Sequence, residues 1–282
     1  MSKTASFIEL CRAASEGTTN RVRLKEEKFL ETEIPLPDLG EQRRIVARIE
    51  ELAAKVEEAR ELRSQSTKQT NSLLGALQGK FFSSANTSTV LGEISRVIDP
   101  NPSHRYPTYL PEGIPIISTV DFIGDQNIST ANVKYVSQDF YDDTLGKFKV
   151  GEGDIIFSRK GKVGYARLHP SNIQLAMTHT LCVIQPDRTK IFPNYLLHFT
   201  KSPTFLNYLC GTMNPNVGVP TLGLGVIRSA PLNLPTLDEQ KRIAEYLDQG
   251  ELQANTLRTL QTQTATELNA LLPAILDKAF TG

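Results

Sequence analysis

Four cations crowd into nine residues of the segment SRKGKVGYAR: Arg159, Lys160, Lys162 and Arg167, with Gly161 and Gly164 between them. Glycine lets a backbone come close to a phosphate, and Arg or Lys side chains bond phosphate oxygens or guanine edges. Two further segments offer related chemistry. SHRYP carries His104, Arg105 and Tyr106, and NPNVGVPT carries Asn214, Asn216 and Thr221. Asparagine pairs bidentately with adenine, so the second segment suits base edges. Thr178 and His179 lie just before an apolar, strand-like run and could be exposed at its edge. Each motif has a plainer alternative: a solvated hairpin turn, an ordinary Asn-rich turn, a structural histidine.

Chemistry beyond binding finds no support. The chain contains no GxSxG, GxxxxGK[ST] or GxGxxG. Asp99-Pro-Asn-Pro does not match the Asn/Asp-Pro-Pro-Tyr-like segment by which a DNA adenine methyltransferase would hold its base. His104, His169, His179 and His198 show no metal-ligand spacing, so no metal is expected. Cys11, Cys182 and Cys210 are odd in number and scattered, which argues against a disulfide framework and for a reducing cytoplasm. The reading is a binding protein, not an enzyme, with no cofactor of its own.

Composition narrows the class. The 282 residues suffice for one large or two modest domains, and 39% hydrophobic with 22% charged residues is ordinary for a globular protein. No apolar run approaches the roughly 20 residues that cross a bilayer, and the start MSKTASFIEL lacks a secretory pattern. The 31 basic and 31 acidic residues cancel. That counts against a freestanding DNA binder, because phosphate neutralisation supplies most non-specific affinity. Either the charge is polarised on one face or another subunit supplies positive surface.

The elements that must carry these motifs fall into two kinds. Residues 86–233 alternate short β-like runs with Gly, Pro, Asn and Asp turns: IPIIST (114–119), NVKYVS (132–137), DIIFSR (154–159) and LCVIQP (181–186). NYLLHFTKSPTFLNYLC (194–210) has helical spacing interrupted near Pro203. This predicts one globular mixed α/β domain of the α+β class.

On either side stands a repeat. LPDLGEQRRI at residues 36–45 returns as LPTLDEQKRI at 234–243, a shift of 198 residues from Leu36 to Leu234. NSLLGALQGKFF (71–82) matches NALLPAILDKAF (269–280) in the same register, and about a third of the 49 paired positions are identical. A fainter echo runs upstream, pairing Phe7 with Phe205 and Leu24 with Leu222. Each copy opens on a capping-box pattern, Asp38 with Glu41 and Thr236 with Glu239. A heptad pattern follows. One seam runs Ile45, Ile49, Leu52, Val56, Ala59, Arg63, Ser66, Thr70, Leu73, Leu77; the other Ile243, Leu247, Gly250, Ala254, Leu257, Gln261, Thr264, Leu268, Leu271, Ile275. Both seams turn polar in the middle, at Arg63/Ser66 and Gln261/Thr264, and Gly75 and Pro273 predict a bend or break near each helix end. The domain is thus expected between two long helices that form an antiparallel coiled coil. The division is 1–35 as the tail of a further recognition domain, 36–85 and 234–282 as helical spacers, and 86–233 between them.

The two openings resemble the spacer regions of specificity subunits in type I restriction-modification systems, where PLP-x-L-x-E-Q begins a long helix after each target recognition domain. IPIISTVDFIGDQNIS, GDIIFSRKGKVG and FPNYLLHF are similar to segments of such a domain and stand in the expected order. The resemblance covers nearly the whole chain. It implies a non-catalytic DNA-recognition subunit that directs modification subunits, and restriction subunits where present, to a bipartite target in double-stranded DNA. The partner would transfer methyl from S-adenosylmethionine to adenine, receiving the extruded base. The family pattern has two recognition domains, whereas this chain carries one full domain between two spacers. That leaves a pair of identical copies, pairing with a second half-size chain, or an inactive remnant. A helical-hairpin scaffold without sequence-specific DNA binding is the alternative from another class.

Overall fold

The computed structural model describes residues 5–18, 21–31, 33, 36–83, 88–102, 106–124, 127–212 and 221–281. Its chain divides into two compact units, Leu73–Leu252 and a second made of Met1–Ser72 with Gln253–Gly282.

In the first unit a four-stranded sheet is ordered Ala166–Leu168, Ile155–Ser158, Leu181–Pro186, Ser95–Ile98, all neighbours antiparallel. Successive side chains leave opposite faces of a strand. Ile155, Phe157, Cys182, Ile184 and Val97 therefore enter one core, with Tyr195, Phe199, Phe205 and Leu209 from the helices Pro193–Lys201 and Pro203–Thr212. Ile156, Leu181, Val183 and Ile98 enter the other. That second core is closed by a three-stranded sheet, Ala176–Met177, Ile114–Ile117 and Lys134–Val136, and by Tyr141 and Leu145 at the helix Gln138–Thr144. Burial on both faces explains why IIFS and LCVI are continuous apolar runs rather than alternating ones. The fold is α+β, as its composition of elements predicts.

Two long helices, Leu39–Phe81 and Leu237–Thr281, account for much of the rest. At 1.5 Å per residue each is about 65 Å long. Their antiparallel pairing is fixed in the second unit, where Arg60 Nη2 donates to Asn269 Oδ1 (3.1 Å) and Thr67 Oγ1 to Gln261 Oε1 (3.0 Å). Gln261 Nε2 also donates to Ser66 Oγ (3.0 Å), so the polar notch is a hydrogen-bonded fork. Each capping side chain accepts as expected, Asp38 from Glu41 N–H (2.9 Å) and Thr236 from Glu239 N–H (3.4 Å). The glutamates turn forward to Arg44 and Arg242 one turn on.

Two expectations are corrected. Neither helix breaks: Gly75 and Pro273 lie inside continuous helix, with Pro273 on the exposed side. The covered stripe also leaves the expected register in places. In the first helix Ile45, Ile49, Leu52, Val56, Ala59, Arg63, Thr70 and Leu77 are covered as expected, while Ser66 and Leu73 are exposed and Thr67 and Leu74 beside them are covered. In the second Ile243, Leu247, Gly250, Ala254, Gln261, Leu268 and Ile275 are covered, while Leu257, Thr264 and Leu271 are exposed and Arg258, Ala265 and Leu272 beside them are covered, so a 3.5-residue repeat persists with its three- and four-residue steps exchanged. Leu73, Leu257 and Leu271, placed on the seam by the heptad, are exposed at 63%, 48% and 44%.

One ionic cluster ties the helix Pro193–Lys201 to the second long helix. His198, 1% exposed, donates from Nε2 to Asp248 Oδ1 (2.7 Å), Asn194 Nδ2 donates to Asp248 Oδ2 (3.3 Å), and Lys201 pairs with Glu251 (3.1 Å). His198 Nδ1 has no hydrogen-bond partner among the described residues, and burial holds the imidazole pKa below its usual 6.5 despite the carboxylates. His169 is shifted down by burial as well. A histidine whose folded pKa is depressed binds its proton better in the unfolded chain, so stability falls as pH drops below 6.5. Thermal melts between pH 7.5 and 5.5 should show a falling Tm, and His198→Gln should flatten the slope; an unchanged slope would remove His198 from the cause. The stripe has its own check: Leu247→Asp, at a fully buried position, should cost more than about 4 kcal/mol, whereas Leu257→Asp should cost under about 0.5 kcal/mol.

Candidate nucleic-acid interface

The strand Ile155–Ser158 turns into Ala166–Leu168 through the basic segment. Ser158 N–H donates to Tyr165 O (2.8 Å) and Gly164 N–H to Ser158 O (3.0 Å), which closes a tight loop. Gly161 and Gly164 sit at φ +75° and +95°, and a Cβ on Gly164 would lie 2.8 Å from Leu206 Cδ2. The glycines are therefore required by the turn itself, before any ligand is considered.

Two of the four cations are structural, a correction to the charge-cluster reading. Arg159 is 7% exposed; its guanidinium pairs with Asp99 (3.0 Å) and donates to Leu222 O (3.4 Å). Arg167 is 3% exposed, bonds Ala166 O and Gly124 O, and lies 5.2 Å from the Phe122 ring centroid. Burying a guanidinium is costly, and here backbone and carboxylate oxygens take its terminal nitrogens, while Arg159 Nε has no hydrogen-bond partner among the described residues. Sequence spacing cannot distinguish an inward from an outward Arg on a two-residue period.

The other two remain outside. Lys162 is exposed and Lys160 half-buried. Lys160 bridges to Thr221 in the backbone and its Nζ lies 3.5 Å from His179 Nε2. An ammonium can only donate, so Nε2 accepts and the ring proton sits on Nδ1. Thr178 Oγ1 and Thr180 Oγ1 are 2.7 Å apart, and Thr178 N–H donates to Ile117 O (2.9 Å). Lys160, Thr178, His179 and Thr221 are thus brought together where the ends of Ile114–Ile117 and Ile155–Ser158 meet the start of Leu181–Pro186. Tyr106 is 84% exposed. His104, Arg105, Asn214 and Asn216 lie outside the described residues.

Aromatic surface was missed in the sequence. Tyr165, inside the basic segment, is 46% exposed, and Lys134 stands 4.1 Å over the ring of Tyr109. The tyrosine in KVGYAR was a legible signal; the Lys134–Tyr109 pair, from segments distant in sequence, was not. The exposed set carries ammonium donors, hydroxyls, an imidazole and aromatic faces, which suit phosphate and base-edge contacts. Away from it, His198, Asp248 and Glu251 place ligand atoms within 4.8 Å of one another, a grouping that histidine spacing does not reveal. There Lys201 already supplies the positive charge to Glu251.

Removing Arg159 strands Asp99, so Arg159→Ala should destabilise the domain by about 3 kcal/mol in urea unfolding. A change below about 0.5 kcal/mol would return Arg159 to the candidate contact set.

Among the described residues no helix is long and apolar enough to cross a membrane. The family described as "Type I restriction modification DNA specificity domain" matches residues 106–267. The specificity subunit of the type I restriction enzyme EcoBI from Escherichia coli is 25% identical over 171 residues, covering 61% of this chain and 35% of that protein. The chain thus spans about a third of that relative's length. The crystal structure of the HsdS subunit from Thermoanaerobacter tengcongensis superposes with a TM-score of 0.66 at 27% identity, over 99% of this chain and 68% of that one. A structure from work on complex assembly and conformational transition of the type I restriction-modification system gives 0.76 at 27% identity, over 98% and 68%. With more than half its length matched, and with its fold shared from end to end, the chain belongs to the family of type I restriction-modification DNA specificity domains.

Proposed function

We propose that this chain is a sequence-reading specificity subunit, without catalysis of its own, that brings adenine methyltransferase subunits to DNA. The observation that carries the reading is the group of half-buried Lys160, Thr178 and His179 with exposed Thr221, and exposed Lys162 on the same basic segment, on a domain that belongs to this family. Lys162 contacts phosphate, and the hydroxyls and imidazole face base edges. The methyl donor, S-adenosylmethionine, is held by the partner, and restriction subunits join where the system cleaves. The zero net charge fits this division: the methyltransferase contributes much of the positive surface around the duplex.

The chain carries one full recognition domain, between the two spacer helices, and residues 5–31 form the closing part of another. The target is bipartite, its halves read by two domains at a separation set by the helices. Two copies would give halves with two-fold symmetry, and a separate second chain would give unlike halves.

Lys162→Ala with the methyltransferase subunit bound should weaken DNA binding several-fold, equally on all sequences, and reduce the salt slope by about 1. Unchanged affinity and slope would remove this loop from the interface. A map of methylated adenines in the native host, with and without the gene, tests the whole reading: a bipartite mark should vanish, and its persistence would refute sequence recognition by this chain.

A further inference from the structure

The turn that follows the strand Ile114–Ile117 carries a side chain for which the fold has no use. Thr119–Asp121 is a single 3₁₀ turn, locked by its own hydrogen bonds. Asp121 N–H donates to Ser118 O (3.2 Å), while Ser118 N–H and Oγ both donate to Asp121 Oδ2 (2.7 and 3.0 Å). Asp121 O accepts in turn from Ser129 N–H (2.8 Å). Thr119 is 9% exposed, whereas Val120 beside it is 81% exposed. Among the described residues only Tyr106 has a more exposed large apolar side chain.

This turn is laced to the basic segment. Thr119 Oγ1 lies 3.4 Å from Ser158 Oγ, and Ser158, fully buried, donates to Lys162 O. At the strand end before the turn, Ile117 O accepts from the N–H of Thr178, the neighbour of His179 (2.9 Å). Val120 is thus carried by the same strand ends as Lys160, Lys162, Thr178 and His179.

A lone exposed valine is commonplace on a protein surface. Here, however, the cap uses Ser118 and Asp121 and the interior uses Thr119, and neither asks for an apolar residue at position 120. The valine stands on a braced turn beside ammonium and hydroxyl groups. Its branched Cβ restricts it to few rotamers, so a contact there costs little side-chain entropy. Phosphates offer such a group nothing apolar. In the major groove a base pair offers one apolar feature, the 5-methyl of thymine, amid hydrogen-bond donors and acceptors.

We propose that Val120 is a specificity-determining residue that reads the 5-methyl group of one thymine in the recognised sequence. This rests on the reading of the chain as a specificity subunit and deepens it by naming a base feature. Lys162 holds the duplex by its phosphates, and Val120 excludes water from the methyl. The other use of an apolar side chain at DNA, a wedge between base pairs, is indifferent to that methyl.

The test uses the full chain with the methyltransferase subunit bound. A randomised duplex pool is selected for tight binding. The selected duplex is then remade with deoxyuridine in place of each thymine in turn, which deletes the methyl alone. At one position affinity should fall about fourfold, the worth of one buried methyl-sized group. Val120→Ala should remove that difference between thymine and uracil, with Tm unchanged. Equal affinity for thymine and uracil at every position, or a selected sequence without thymine, overturns the proposal while sequence recognition stands. A difference that survives Val120→Ala overturns it too, since another side chain then reads the methyl. So does loss of methyltransferase binding by Val120→Ala without DNA, which would place Val120 against the protein partner. If no sequence emerges from the pool, the specificity-subunit reading fails and the proposal falls with it.

Discussion

Between Val56 and Thr70 of the first long helix and Ala254 and Leu268 of the second, the two helices depend on one narrow contact, the stripe along which they lie against each other. Helix propensity contributes little at such length without tertiary burial, and this stripe is thin: alanine, threonine, glutamine and arginine occupy much of it between Val56 and Leu268. Apolar contact there gives modest energy and weak register. The fork by which Gln261 bonds both Ser66 and Thr67 supplies the register, since a slip by one turn leaves a half-buried amide without partners. Polar residues in a seam cost stability and return uniqueness of alignment.

Periodicity made the architecture readable before any coordinates. The duplicated capping signals placed the starts of the helices at Leu39 and Leu237 within a few residues, and LCVIQP is a strand from first residue to last. The failures have separate causes. A heptad leaves the order of its three- and four-residue steps open, so Leu257 and Leu271 were placed one residue short of the covered Arg258 and Leu272. Pro273 did not break its helix, because its exposed side leaves solvent to the freed carbonyl. The strands Ser95–Ile98 and Ala166–Leu168 went unread since each is short and borrows its order from neighbours.

The candidate interface was legible by type and not by role. Counting cations located one hairpin, but the fold sends Arg159 and Arg167 inward and leaves Lys160 half-buried and Lys162 outside. The inward pair braces the loop against Asp99 and Gly124 O, so half of the apparent charge holds the shape in which the other half is displayed. His179 entered as a residue near a strand edge; only the fold puts it beside Lys160.

The grip of Gln240 has an evolutionary consequence. Gln240, fully buried, directs its amide hydrogen bonds to main-chain atoms alone, Phe192 N–H, Lys190 O and Pro235 O, and every residue offers a C=O and every residue except proline an N–H. A joint of this kind imposes almost no demand on the side chains it holds. Residues 190–192 can therefore change side chain, proline at 192 excepted, while this joint to the long helix keeps its chemistry.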